Sequence, residues 1–233
     1  MFFIRREVRA FSTPNDDCKS LTEEIMKSTE EEGKKNKLKG EASSYLQSQL
    51  LIAMPSMGDP TFKQTVTLIC QHNEEGCFGL TINRPIQITL DELFDQLHIG
   101  TKETIIKGKL ALKGGPVQPD QGFVIHDTVP DADNFTSIWE NTLRINDDLA
   151  VTASRDILFD IARGKGPENY LLALGCASWT AGQIEQEVLD NAWLNCPSDN
   201  KILFDTPYEK RWNSAIDTMG FDVNLISHTA GHA

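Results

Sequence analysis

Nothing in this chain approaches the ~20 consecutive apolar residues that a membrane-spanning helix requires. Basic charge is also short, with 22 Lys and Arg against 34 Asp and Glu and a net charge of −12. The imbalance lies entirely beyond residue 45. Residues 1 to 45 hold nine side chains of each sign, and residues 46 to 233 hold 13 basic and 25 acidic ones. So acidic a body repels phosphate backbones, whose affinity for proteins comes mainly from basic residues that release counterions, so a direct nucleic-acid partner is disfavoured. Cysteine is scarce: five residues (18, 70, 77, 176 and 196), an odd number, widely spread in a chain too long to depend on disulfide staples. That usage fits a reducing cytoplasm. The apolar share, 39%, is low enough to imply that part of the chain contributes to no core.

The opening MFFIRREVRAFS is briefly basic and apolar, but it lacks an apolar h-region of ~7–15 residues and a small-residue cleavage site, so it does not read as a secretory signal. STPNDDCKS is turn-rich and TEEEGKKNKLKGEASS is charged, which makes residues 1 to 45 a poorly ordered extension with at most a short helix over LTEEIMKSTEEE. Residues 46 to 233 read as a single domain.

Within that domain LLIA is a short strand, MPSMGDPTF a punctuated loop, and TVTLIC and CFGLTI two strands joined by the turn QHNEEG. Thr89 and Glu92 have capping-box spacing and open a short helix to about Leu97. Strands are expected at IIKGKLALKGG, GFVIH, LAVTAS, YLLALG and KILF, with GGPVQPDQG as a shaped loop. Helices are expected over RDILFDIARG with Ser154 as N-cap, within CASWTAGQIEQEVLDNAWL after an opening turn, and over TPYEKRWNSAIDTMG with Thr206 as N-cap and Pro207 first in the helix. About seven strands and four or five helices in mixed order give an α+β fold with a mixed, largely antiparallel sheet.

Three blocks, LLIAMPSMGDPTFKQTVTLICQHNEEGCFGLTINRP, LKGGPVQPDQGFVIHD and LALGCASWTAGQIEQEVLDNAWL, occur in order and together closely resemble the YqgE/AlgH family of bacterial proteins. The resemblance covers nearly all of residues 46 to 233 and leaves out the first 45. It implies a cytoplasmic α+β domain whose sheet forms a small barrel-like core flanked by helices. It supplies no catalytic residue and no cofactor. The transcriptional-regulator role attached to the family finds no helix-turn-helix and no basic stripe here, so an indirect role through another protein fits the charge better.

The stretch around Cys70, His72 and Cys77 admits several readings. Cys70 and Cys77 stand where a cross-strand disulfide could form, but the geometry is demanding and the compartment reducing. The pattern C-x-H-x4-C lacks the further ligands of a zinc site, so no metal is expected. Cys70, shared with the family run ICxHN, either continues the apolar face of Val66 and Leu68 as a buried residue or acts as a thiol tuned by His72 or His126. The core reading is favoured.

The best candidate for a ligand site is the segment GCASWTAGQ, where Ser178, Trp179, Thr180 and Gln183 lie at a helix entry and Thr180 and Gln183 have capping-box spacing. The alternative, which is favoured, is a tight capped helix entry with Trp179 packed in the core. Asn73 and Asn83 in neighbouring turns, and Gly114 and Gly115 in the rigid loop, complete the candidates. The leading expectation is a noncatalytic binding or regulatory module without a cofactor, taking a small anionic ligand or a protein partner where these loops converge. The alternative is a thiol-dependent enzyme or redox sensor built on Cys70.

Overall fold

A computed structural model describes residues 45–100, 106–128 and 138–220. The expected extension up to residue 44, its short helix and the last 13 residues lie outside the described residues. Ten strands and four α-helices are present among those described. In chain order they are β1 (Gln49–Ala53), β2 (Val66–Asn73), β3 (Gly76–Thr81), β4 (Pro85–Thr89), α1 (Leu90–Gln96), β5 (Leu110–Lys113), β6 (Val117–Asp127), β7 (Thr142–Arg144), β8 (Leu149–Thr152), α2 (Asp156–Ala162), β9 (Tyr170–Thr180), α3 (Gln183–Leu189), β10 (Trp193–Pro197) and α4 (Arg211–Asp217).

The strands form one curled sheet, a half-barrel, in the order β10-β1-β2-β3-β9-β6-β8-β7, with β4 and β5 attached as a branch. All pairings are antiparallel except β5 with β9. The α+β expectation therefore stands in its coarse form.

Successive side chains of a strand point to opposite faces, and here both faces are covered. Leu50 and Ile52 of β1 pack inside the curl with Leu68, Leu80, Phe123 and Ile125, whereas Leu51 and Ala53 pack outside it with Trp179, Ile184 and Trp193. This double burial explains why LLIA is a continuous apolar run with no alternation. A third cluster lies outside another part of the sheet, where Leu93 and Phe94 of α1 and Leu158 and Ile161 of α2 meet Val124 and Leu172.

Helix α1 carries the expected capping box: Glu92 N donates to Thr89 Oγ1 at 3.4 Å and Thr89 N donates to Glu92 Oε2 at 3.0 Å. Elsewhere several expectations require correction. Helix α2 has Arg155, not Ser154, at its N-cap, because the Ser154 hydroxyl is engaged by Asp156 Oδ1. The expected strand KILF is a π-helical turn, Lys201–Asp205, and Thr206 closes that turn, with its hydroxyl donating to Lys201 O. Pro207 is extended (ψ 142°), so the closing helix begins after it, as a 3₁₀ turn and then α4. NAWL, taken as the tail of a helix, contributes instead to edge strand β10, paired with β1. The loop GGPVQPDQG is mostly strand, since β6 starts at Val117 and runs irregularly past Gly122.

Two features shape the ground near the candidate residues. In β2 the register advances from Ile69↔Gly79 to Gln71↔Phe78, so Cys70 is the extra residue of a β-bulge. Across the sheet, the strand β9 bends at Gly175 (φ +71°), and Gly115 lies so close to it that a Cβ there would come within 2.1 Å of Cys176 backbone atoms. Loop 114–116 is thereby clamped onto β9.

Candidate functional site

The bulge separates the residues that simple alternation would place on one face. Cys70 turns into the curl beside Leu68, Phe78 and Cys176, while His72 lies opposite Cys77, which packs outside with Ile184 of α3. Cys70 and Cys77 are therefore not cross-strand partners, and the four cysteines among the described residues are all free and buried. Burial pushes the Cys70 thiol far up, and its Sγ donates only a weak bond to Leu68 O at 3.7 Å. Burial likewise raises Cys77, and Cys176 to about 12, the reverse of what nucleophilic activation requires.

Both described histidines proposed as partners are held at both ring nitrogens. His72 Nδ1 accepts from Leu46 N at 2.9 Å, so Nε2 carries the proton and donates to Glu185 Oε1 at 2.9 Å. His72 thus straps the β2–β3 hairpin to α3. His126 Nδ1 donates to Asp127 O at 2.8 Å and Nε2 faces Thr152 Oγ1 at 2.9 Å. Its ring meets Trp139 edge-on at 5.1 Å, and desolvation lowers its pKa. It sits in the β6–β8 ladder, remote in pairing from the β2–β3 hairpin that holds Cys70.

At the start of α3 only half of the expected capping box forms. Strand β9 continues through Thr180, the N-cap is Gly182 in a left-handed conformation (φ 74°), and no side chain caps it. Gln183 instead reaches back, with Oε1 accepting from Thr180 N at 3.0 Å and Thr180 Oγ1 at 3.2 Å. Its Nε2 donates to Glu187 Oε1, and Glu187 Oε2 accepts from both Trp179 Nε1 (3.0 Å) and Trp193 Nε1 (2.8 Å). With α3 only seven residues long and bearing Glu185 and Glu187, this end of the helix is anionic and structurally saturated. Ser178 is half-buried in β9 opposite Phe78.

The remaining candidates define turns. Asn73 Oδ1 accepts from Glu75 N at 3.0 Å and closes the hairpin. Asn83 ties two segments together: its Oδ1 accepts from Val66 N at 2.8 Å and its Nδ2 donates to Gln64 O at 2.9 Å. Gly114 N donates to Leu174 O at 2.7 Å, which anchors the glycine pair on β9.

Beside these turns lies a narrow cleft of about 200 Å³. The consecutive residues Pro60, Thr61 and Phe62 form one wall, and Thr81, Arg84, Lys113 and Gly115 complete the lining. The wall is rigid, because Asp59 Oδ1 accepts from Thr61 N at 2.8 Å and Asp59 O accepts from Phe62 N and Lys63 N. Phe62 also stacks toward Trp179 (6.3 Å) and meets Trp193 edge-on (5.5 Å), so the cleft adjoins the start of α3. Loop 59–63 and loop 114–116 therefore meet in this cleft, and Phe62 links it to Trp179 at the end of β9. The hairpin turn lies apart, tied to α3 by the His72–Glu185 contact. Sequence reasoning did not single out Arg84 and Lys113. The available signal was two cations, one before a proline and one before a glycine pair, in an acidic chain. A wider depression of about 720 Å³ is lined by Asn146, Asp148, Asn195, Ser198 and Asp199 among others, with no cation.

Comparison with known proteins agrees on one group. Residues 50–224 match the family described as AlgH-like. The UPF0301 protein of Methylococcus capsulatus is 43% identical over 190 residues, which span 82% of this chain and 97% of the relative. A UPF0301 protein of Xanthomonas campestris is 46% identical over 188 residues, 81% of this chain and 96% of the relative. The solution structure of the AlgH protein from Pseudomonas aeruginosa superposes with a TM-score of 0.65 at 44% identity, covering 84% of this chain and all of that one. A crystal structure of a Corynebacterium diphtheriae protein, 20% identical, shares the fold with a TM-score of 0.61 over 83% of this chain and 96% of the other.

Proposed function

The chain belongs to the AlgH-like family, and from that premise we propose that it is a noncatalytic binding module that takes its ligand in the cleft between loop 59–63 and the β4–β5 branch. The observation that carries this reading is how the reactive side chains are used. The described cysteines are buried with raised pKa values, and His72 and His126 have both ring nitrogens engaged, so the thiols and histidines singled out as candidates are occupied in holding the fold. The cleft, by contrast, has preformed walls and side chains with unused donors. No described helix is long and apolar enough to cross a membrane. The acidic charge of residues 46 to 233 supports a small molecule or a protein as ligand in preference to nucleic acid.

The rival reading, a thiol enzyme or redox sensor using Cys70, is separated from this one by alkylation. Cysteines are labelled at a series of pH values and located by mass spectrometry. Cys70 is expected to stay protected at neutral pH until the protein unfolds. Fast labelling of Cys70 in the native protein, with an apparent pKa below the ~8.5 of a free thiol, overturns the noncatalytic reading.

A further inference from the structure

If the cleft is the binding site proposed above, the side chains around it specify a ligand chemistry. Lys113 N donates to Arg84 O at 2.7 Å, so the two cationic residues are backbone neighbours across the β4–β5 branch. Like charges in such cross-strand positions are destabilising unless something of opposite sign sits between them. Among the described residues no carboxylate makes an ion pair with either one, although the whole chain is strongly acidic. Arg84 Nη2 donates to Lys63 O, which fixes the guanidinium against the wall of the cleft. Among the described residues that is the one donor of its planar fork in use, and the rest of the fork, shaped for paired oxygens, is left over. Lys113 is exposed and its ammonium makes no hydrogen bond among the described residues.

We infer that the cleft binds a doubly charged tetrahedral oxyanion of the phosphate type, with Arg84 as a bidentate fork and Lys113 as a compact second charge. The size of the space supports a small group. About 200 Å³ is below the ~300–1,000 Å³ of pockets that enclose whole drug-sized ligands, and it corresponds to roughly seven waters. It fits one oxyanion with part of its hydration, either the free ion or the phosphoryl end of a larger molecule that projects outward. Thr61, one of the lining residues, offers a hydroxyl. Charge-assisted bonds to two cations select such a group over neutral molecules of the same size.

The test is an amide-resolved NMR titration of the full chain with inorganic phosphate against chloride at constant ionic strength, repeated with phenyl phosphate. Saturable shifts are expected at Thr61, Phe62, Thr81 and Gly115 with phosphate and not with chloride. R84Q and K113Q are each expected to raise the dissociation constant at least tenfold, with the spectrum elsewhere unchanged. K113Q is also expected to leave the ligand-free protein as stable or more so, which a merely structural lysine would not do. Tighter binding of phenyl phosphate than of phosphate assigns the site to the end of a larger molecule, and weaker binding assigns it to the free ion. Shifts that do not saturate, that chloride reproduces, or that survive both substitutions overturn the inference. If a neutral compound saturates the cleft while phosphate does not, the oxyanion assignment falls and the binding-module reading remains.

Discussion

Glu187 shows how a single surface carboxylate can hold two tryptophans in place. Its Oε2 accepts from both Trp179 and Trp193, whose rings are nearly inaccessible and meet edge-on at 6.0 Å. Replacing it with alanine leaves two buried indole N–H groups without an acceptor, each costing ~1–3 kcal/mol. Glu187→Ala is therefore expected to lower stability by about 2–4 kcal/mol in urea denaturation, and Glu187→Gln, which keeps an acceptor oxygen, by less. Arg211 is a comparable case: a buried guanidinium bonded to the carbonyls of Ile82 and Thr206 and stacked at 4.6 Å from the Tyr208 ring, with burial lowering its pKa to about 10. Neither role was legible in the sequence. Arg211 depends on Ile82, far off in the chain, and Glu187 on how α3 folds back between β9 and β10 to bring Trp179 and Trp193 together; side-chain type alone carries no sign of either. The candidates drawn from motif spacing fared unevenly for the same reason. Thr180 and Gln183 do touch, but the helix starts two residues later than their spacing implied.

Among the elements, those with strong local signals were readable: the β2–β3 hairpin from its turn residues, α1 from its capping box, and β1 from its apolar run. Misreadings fell where one pattern serves two structures. KILF is as apolar as a strand, yet Ile202 and Leu203 reach the core from a π-helical turn. WLNCP is short and follows a helix directly, so nothing local marks it as an edge strand; its pairing with β1 does that. The bulge at Cys70 was equally hidden, and it alone decides that His72 faces α3 and not the interior of the curl. The contact between loop 114–116 and β9 gives a test at this scale. Gly115→Ala forces a Cβ into the Cys176 backbone, where no flexible side chain is available to yield. Overpacking of this kind costs ~1–3 kcal/mol or more, so the variant is expected to lose about 3 kcal/mol of stability or fail to fold, measured by thermal unfolding.

For the whole molecule, pH and chain order matter most. Desolvation depresses the His126 pKa below its ordinary 6.5 despite the opposing effect of Asp127. The unfolded chain then binds a proton that the folded one refuses, so the stability involved is complete above about pH 6.5 and is lost as pH falls from there toward the folded value. One such group limits the slope to about 1.4 kcal/mol per pH unit. Denaturation midpoints measured from pH 7.5 downward are expected to fall first in this window, and His126→Gln is expected to flatten that part of the curve.

The position of β9 has a consequence for synthesis. It pairs with β3, β5 and β6, yet it is the ninth of the ten described strands to be made. Until residues 170–180 leave the ribosome, three earlier strands share no common neighbour and their apolar faces wait uncovered. Non-local pairing of this kind slows folding and prolongs exposure to aggregation. The nascent protein is thus expected to depend most on chaperones over about its first three-quarters, and the same eleven residues that complete its sheet to release it from that dependence.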